Sequence, residues 1–532
     1  MSSAAVGVDA MAVEQAWLGM NVLAVDVMIA LAGLSLMLGD VVLPHGSKKI
    51  LGWTALAQLV LCLVATFFLP LHGAALSGAY VGDDLAIFFK RLFLFAGILG
   101  VLGGLARVAA DAERRQGEYY QLLLFSVLGM TLLAGARDLI LLLVAFELMS
   151  MPLYAMAAYG RTGPQPHRKG PLPVMFLPAS EKWLRPAEAG IKLFIVGAVS
   201  SAVAAYGMSL VYGAAGSTRF VDIALVNHGP LLALGMTLML AGFGFKIGAA
   251  PFHMWVPDTY EGASTPFVAF LSVAPKAAGL AALVQLLLGP FAAHHSSVAP
   301  MLLGLAVVSV AVGNLMAVPQ QNIKRLLGFS GVGQIGFALM ALLACSPDNA
   351  VLGNAALANG HGLAPLLFFL GAYMVANMGI FFVVEAIAAS RTPAGELVSE
   401  RDDDDAMATF AGLADRSPWL AMCALLFLLS LGGIPFAVGF WAKVYVLMAV
   451  WKAGYAWLVL VAAVVSAAGL FYYLQVARSM YMASADDTSK VRVTPALVVA
   501  IVVCAALTAG VGLYPAPAFD AARAAAASFV GG

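Results

Sequence analysis

From residue 21 onward the chain is a succession of apolar stretches of about twenty residues, parted by short polar loops. At a rise of about 1.5 Å per residue, such a stretch is long enough to cross a bilayer core of about 30 Å. The stretches lie near residues 21–43, 51–70, 86–106, 119–136, 138–159, 189–213, 230–254, 265–288, 299–319, 325–345, 365–389, 418–450, 454–477 and 493–516. They are numbered spans 1 to 14 here, and they predict an all-α polytopic membrane protein of about fourteen transmembrane helices. Span 12 is too long for one straight crossing and contains Gly432-Gly433-Ile434-Pro435, while span 7 contains Pro251. Proline removes a helix donor and clashes with the preceding turn, so both spans are expected to be broken helices. A break in lipid is tolerated only where the freed backbone faces protein or a hydrated cavity.

The two breaks are five spans apart. A five-span unit that repeats must be inverted, because an odd number of crossings reverses direction. Spans 4–8 and 9–13 are therefore expected to form two inverted five-helix repeats, an arrangement common in secondary transporters. This divides the chain into 1–118 (spans 1–3), 119–288 (first repeat), 289–478 (second repeat) and 479–532 (span 14).

Composition agrees with this pattern. Of 532 residues, 62% are hydrophobic and 11% charged, with a mean hydropathy of +0.93, where a soluble domain carries about a quarter charged residues. The formal net charge is zero and the pI near 7.1, which argues against a nucleic-acid partner. The first twenty residues hold Asp9 and Glu14 but no Lys or Arg, the wrong charge for the start of a cleaved signal peptide. Cys62, Cys345, Cys423 and Cys504 are far apart, with no disulfide or metal-ligand spacing, and read as small apolar wall residues. Loops 1–2, 3–4, 5–6, 9–10, 11–12 and 13–14 carry 18 basic residues, against Arg137, Arg219, Lys452 and Arg523 on the other side. Cytoplasmic loops are the basic ones, so both termini are expected outside.

Six basic residues fall inside spans: Lys90, Arg91, Lys192, Lys246, Lys276 and Lys443. Lys90 and Arg91 stand close to the end of span 3 and are expected to snorkel outward or pair with Asp83 and Asp84. Lys192 follows Glu188 by four residues, a helical ion-pair spacing. Lys276 lies about 16 Å from one membrane edge and Lys443 about 12 Å from the other, by helical rise. Lys246 stands five residues before Pro251, and Glu147 about 14 Å into span 5. A charge at such depth costs about 2.5–3.5 kcal/mol on insertion scales. Packing does not ask for a lysine where a leucine would do. Desolvation disfavours an ammonium and a nearby carboxylate favours it, so a Lys–Glu pair that opens and closes can drive proton transfer. His253, in Pro251-Phe252-His253-Met254-Trp255, titrates in a useful range but more often sits inert at an interface. His361 is weaker still. Asp26 and Glu385 are expected to be interfacial or to face another subunit.

The run Ala241–Lys276, AGFGFKIGAAPFHMWVPDTYEGASTPFVAFLSVAPK, resembles the signature of the antiporter-like subunits of respiratory complex I, NADH:quinone oxidoreductase. Its Tyr260-Glu261-Gly262 version matches the N type of these subunits in bacteria. The L and M types and Mrp-type antiporters usually carry a His-containing version instead. Further matches are Phe146-Glu147-Leu148-Met149-Ser150-Met151-Pro152, Glu188-Ala189-Gly190-Ile191-Lys192, Asn322-Ile323-Lys324-Arg325-Leu326-Leu327, and Gly433-Ile434-Pro435 through Gly439-Phe440-Trp441-Ala442-Lys443.

What the resemblance implies is a proton-translocating subunit of the membrane arm, in the bacterial inner (plasma) membrane. Glu147 would pair with Lys246, Lys276 would be the central lysine, and Lys443 the lysine facing the outer exit. Lys192, His253 and Gln334 are secondary candidates. The resemblance places no cofactor and no metal in this chain: NADH, FMN, iron–sulfur clusters and quinone would belong to partner subunits. Its expected partners are the lipid bilayer, an antiporter-like M-type subunit and the small K- and J-type subunits. Three features depart from the family pattern. Gln334 stands where histidine is usual on span 10, loop 160–187 is long and rich in Pro and basic residues, and Asp402–Asp405 form a charge run that reads as solvated. Two other functions are weighed: a subunit of a Mrp-type cation/proton antiporter or a related hydrogenase or dehydrogenase complex, and a scaffold whose charges only hold helices together.

Overall fold

The computed structural model describes residues 19, 21–44, 47–111, 115–159, 185–345, 362–390, 407–484 and 490–531. His361, residues 160–184 of the long loop and Asp402–Asp405 lie outside them.

Among the described residues, thirteen helices are long and apolar enough to cross a membrane. The fourteenth crossing, span 12, is built from two shorter helices, Pro418–Gly432 and Val438–Lys452. The first half ends on Gly433 with a φ of 83°, a left-handed cap that glycine adopts without penalty. Span 7 ends earlier than its apolar stretch, at Ile247, where Gly248 caps it with φ 73°. Pro251 follows, and a short helix, Trp255–Gly262, leads into span 8. Span 8, expected to be continuous, consists of Thr265–Leu271 and Ala274–Leu287. The interruption falls at Ser272 and Val273, just before Pro275, whose ring would clash in a continuous helix with the carbonyl of Leu271 four residues back.

Burial sorts the spans into centre and rim. The most apolar stretches of Thr265–Leu287 (span 8) and Ile323–Leu343 (span 10) are wholly buried, and Leu363–Ser390 (span 11) nearly so. Spans 1, 2, 6, 13 and 14 expose most of their surface. Spans 4 to 7 (Gln116–Ala134, Leu139–Ala157, Arg185–Ala215, Pro230–Ile247) pack each on the next, and spans 4, 5 and 7 also pack on span 8. Span 9 (His295–Ala317) packs on span 10 and on span 13 (Ala456–Met482), and span 13 packs on both halves of span 12. The closest approach is at Gly313, where a side chain would strike the backbone of Gly333 on span 10.

Two elements were not expected. Gly73–Ala75 and Tyr80–Gly82 form a small antiparallel hairpin between spans 2 and 3. Beyond span 14 (Pro495–Leu513), Ala516–Gly531 forms another helix that lies on spans 3 and 11. Its Phe519 packs on Phe368 and Tyr445, with centroids 5.8 and 4.2 Å away.

Three charged residues depart from the sequence reading. Lys90 neither snorkels nor pairs with Asp83 or Asp84: it is buried, with its ammonium 2.5 Å from Asp26 of span 1. Asp26, expected at an interface, is therefore an internal partner linking spans 1 (Ala24–Val42) and 3 (Asp84–Asp111). Glu385, also expected at an interface, is 3% exposed and lies 3.8 Å from Arg107 of span 3.

Candidate functional site: a buried row of ammonium groups

Lys246, Lys276 and Lys443 are 8%, 1% and 9% exposed, so each ammonium is withdrawn from the surface, and none forms an ion pair among the described residues. Each sits beside a helix break, and each break is traceable to a proline or glycine.

Lys246 lies in the last turn of span 7, just before Gly248. Its Nζ donates to Ser150 Oγ at 2.6 Å and stands 5.3 Å from the ring centroids of both Phe146 and Tyr154. Aromatic faces attract a cation, which softens the loss of water. Glu147 lies one turn before Ser150, half-buried, with Oε1 enclosed and without a hydrogen-bond partner. No ion pair within 4 Å joins it to Lys246. Glu147 falls instead on the helix face that carries exposed Ile140, Val144 and Met151.

Lys276 stands on the most enclosed crossing, one turn after the break in span 8. Its Nζ has no hydrogen-bond partner and lies 5.5 Å from the Tyr260 ring centroid. It approaches Gly331 of span 10 so closely that a Cβ there would be 3.0 Å from Nζ and 2.9 Å from Tyr373 Oη. Gly279, one turn further along span 8, packs on span 7: a Cβ there would meet Ile247 at 2.6 Å and Lys246 Cγ at 3.8 Å. Lys246 and Lys276 thus flank one helix crossing.

Lys443 is held by the break in span 12. Its Nζ donates to the carbonyls of Leu431 (2.9 Å) and Gly432 (3.2 Å), and to Ser466 Oγ at 3.1 Å. The last carbonyls of a helix lack internal donors and carry the negative end of its dipole. Here they hold an ammonium that no carboxylate among the described residues reaches. Gln334, three residues after Gly331, donates from Nε2 to the same Leu431 carbonyl at 3.0 Å. Small cavities beside Lys246 and Tyr154, and between Gln334, Tyr373 and Lys443, each leave room for about one water.

The secondary candidates divide. Gln334 belongs to the row. His253 is half-buried, its ring 6.1 Å from that of Phe329, with Nδ1 enclosed and unpartnered. Lys192 stands apart in a half-exposed charge cluster. It pairs with Glu188 at 2.8 Å, as its spacing predicts, and with Asp258 at 2.9 Å. Arg325 reaches Asp258 and Glu261, both at 2.8 Å. This cluster ties the short helix Trp255–Gly262 to spans 6 and 10. Burial pushes the Asp258 carboxyl up, but Lys192 and Arg325 together hold it below the ordinary value of 3.8. Sequence reading had missed Tyr260, Tyr373, Ser150 and Ser466. Only Tyr260 and Ser150 stood inside motifs that drew attention, and nothing in spacing shows that Tyr373 and Lys276 meet at Gly331.

With this geometry in view, the comparisons with known proteins are informative. The profile of the NADH:quinone oxidoreductase/Mrp antiporter transmembrane family matches residues 170–470. The NADH-quinone oxidoreductase subunit N of Desulfitobacterium hafniense is 37% identical over 522 residues, covering 96% of this chain and 99% of its own. That of Moorella thermoacetica is 37% identical over 515 residues, with 96% and 99% covered. A chain of respiratory complex I from Thermus thermophilus with bound aureothin is 30% identical, with a TM-score of 0.72, 94% of this chain and 99% of that chain covered. A chain of the Mrp complex from Dietzia has a TM-score of 0.77 at 18% identity, with 96% and 98% covered, and so shares the fold. The chain under study belongs to the subunit N family of NADH-quinone oxidoreductase, within the wider NADH:quinone oxidoreductase/Mrp antiporter transmembrane family.

Proposed function

We propose that this chain is a non-redox, proton-pumping membrane-arm subunit of NADH:quinone oxidoreductase, and that Glu147, Lys246, Lys276 and Lys443 carry the proton. The observation that supports it most directly is the buried row itself. Lys246 and Lys276 flank one crossing at Gly279, Lys276 lies against Gly331, and Gln334 and Lys443 share the Leu431 carbonyl. A deeply buried ammonium without a carboxylate is costly to keep charged, so its proton is ready to leave once a neighbouring charge changes. In this reading the open Glu147–Lys246 pair is one of two states. Quinone reduction elsewhere in the complex closes or opens it, and the proton advances from Lys246 to Lys276 and on to Lys443. Each step moves a proton from an ammonium through water to the next amine, with no electron transferred. Export against the membrane potential costs about 2.3 kcal/mol per 100 mV.

Orientation follows from the basic loops: the bacterial inner membrane, loops 1–2, 9–10 and 13–14 in the cytoplasm, and both termini in the periplasm. The breaks in spans 7 and 12, each with a lysine beside it, support reading spans 4–8 and 9–13 as inverted repeats. NADH, FMN, iron–sulfur clusters and quinone are assigned to partner subunits. An M-type antiporter-like subunit and the small K- and J-type subunits are the neighbours proposed. The exposed stripe bearing Glu147 supports such a neighbour, since a carboxylate facing lipid is expensive.

The test is the native complex in sealed vesicles, with NADH oxidation and proton uptake measured together. Lys276→Met is expected to remove most proton uptake and to slow coupled turnover at least tenfold, while assembly is preserved. Unimpaired coupling in Lys246→Met, Lys276→Met and Lys443→Met alike sinks the reading. Sodium-dependent turnover, or copurification with an Mrp-like set lacking redox subunits, replaces it with cation/proton antiport.

A further inference from the structure

Glu385 is a buried carboxylate that the lysine row does not use. It lies on span 11, five residues before the helix ends at Ser390, or about 8 Å from the cytoplasmic end by helical rise. Its position is set by close packing of spans 3 and 11: Phe382 lies hard against Gly103, which brings Arg107, one turn on, to 3.8 Å from Glu385 Oε1. The Arg107 side chain is 20% exposed, so this corner reaches solvent.

Inward from Glu385, span 11 presents Phe381, Asn377 and Tyr373 at successive intervals of four, which puts them along one face. Asn377 donates from Nδ2 to Ser272 Oγ at 2.7 Å, and its Oδ1 is buried without a partner. Tyr373 donates to the Ser272 carbonyl at 3.3 Å and meets Lys276 at Gly331. Between Asn377 and Glu385, the Phe381 ring packs 5.9 Å from that of Tyr260, the ring over which the Lys276 ammonium sits. The hydroxyl of Tyr260 is also buried and unpartnered. One face of span 11 therefore runs from a buried carboxylate, beside the partly exposed Arg107, to the central lysine, with the unsatisfied Asn377 and Tyr260 oxygens in between. Tight, apolar packing alone gives no reason to bury two such atoms there.

We infer that Glu385 is the residue that takes up protons from the cytoplasm for Lys276, through Asn377 and Tyr373, with the Phe381–Tyr260 contact as the apolar constriction on the way. This rests on the proposed role of Lys276. The carboxylate accepts a proton from cytoplasmic water, opposite Arg107. The resulting acid gives it to a transient water file that spans the roughly 12 Å between Glu385 and Asn377 and continues past Tyr373 to the Lys276 amine. The file protonates the neutral Lys276 amine, and the carboxylate is regenerated with its ion pair to Arg107. Atoms and charge balance, and no oxidant is needed.

The experiment uses the assembled complex in sealed vesicles, comparing Glu385→Gln, Glu385→Asp and Lys276→Met for proton uptake and NADH oxidation. Glutamine keeps the shape of the side chain beside Arg107 but cannot carry a proton. Coupled turnover and proton uptake are expected to fall together by about a hundredfold in Glu385→Gln, the low end for loss of a positioned proton-transfer group. Glu385→Asp is expected to retain most of both. A Glu385→Gln complex that pumps like the unaltered one, beside an inactive Lys276→Met, overturns the inference and leaves the lysine row standing. Normal pumping in both removes the lysine reading and this inference with it. Should Glu385→Gln fail to assemble, Asn377→Val breaks the same line without touching Arg107. Undiminished pumping there also overturns the inference.

Discussion

At the scale of single residues, the proposed function depends on how an ammonium is held without a counter-ion. Three solutions occur in one chain: a serine hydroxyl and two aromatic faces at Lys246, one tyrosine face at Lys276, and helix-end carbonyls at Lys443. Lys276 is held least, and Gly331 makes the room for it. Gly331→Val is expected to displace the ammonium and Tyr373 together, with an overpacking cost of about 1–3 kcal/mol. Proton uptake should fall several-fold at retained assembly, and a variant that pumps normally would show that the Gly331 contact is incidental. The Asp26–Lys90 pair is a contrasting case, because its two charges do meet. Asp26→Leu strands a buried ammonium and is expected to cost about 3–5 kcal/mol, while Asp26→Leu with Lys90→Met recovers most of that. Thermal unfolding of the detergent-solubilised protein separates the two, and equal losses in single and double variants would contradict the pairing argument.

Among the elements, the broken helices matter most. In span 12 the break supplies free carbonyls to Lys443, and in span 7 it frees the chain to form Trp255–Gly262, which brings Tyr260 over Lys276. That short helix is moored by Asp258 and Glu261 to Lys192 and Arg325. Asp258 titrates below its ordinary 3.8 in the folded chain, so the mooring is fully present above that pH. It is lost as pH falls through the folded-state value, because protonation is then shared by both states. Hydrogen exchange within Trp255–Gly262, corrected for its intrinsic pH dependence, is expected to stay slow at pH 5 and to rise only as pH falls below the ordinary 3.8 of the Asp258 carboxyl. Exchange that rises already between pH 6 and 5 would assign the mooring to another group. Charges in this cluster are about one-third exposed, so the stabilisation it supplies is modest.

For the whole molecule, the arrangement is a closed centre of spans 8, 10 and 11 within a rim that shows apolar surface outward. Most of that surface reads as lipid-facing, but the span 5 stripe with Glu147 is a different case. A helix face bearing Ile140, Val144 and Met151 together with a half-buried carboxylate suits a neighbouring membrane subunit better than hydrocarbon. In the native complex, Val144→Cys is expected to cross-link to an adjacent membrane subunit with a short bifunctional reagent. Leu460→Cys, on the exposed face of span 13, is expected to react with lipid-soluble maleimide instead. Labelling of both positions by the lipid-soluble reagent to the same extent would assign the Glu147 face to lipid.

The crossings, the breaks at Pro251 and Gly433, the Glu188–Lys192 pair and the depth of three lysines were all legible in the sequence. The reason is that lipid forces every backbone group into a helix and makes each buried charge conspicuous, so period, proline and cost per charge are local signals. The helix Ala516–Gly531 was missed because it is too polar to be a span. The interruption in span 8 was passed over although Pro275 marks it. Which groups meet across different spans was not legible. That Lys90 reaches Asp26, that Glu385 turns inward to Arg107, and that Gln334 and Lys443 share one carbonyl depend on how spans far apart in sequence cross. Those crossings are set by close approaches such as Gly313 on Gly333 and Gly103 under Phe382, which only packing in three dimensions decides.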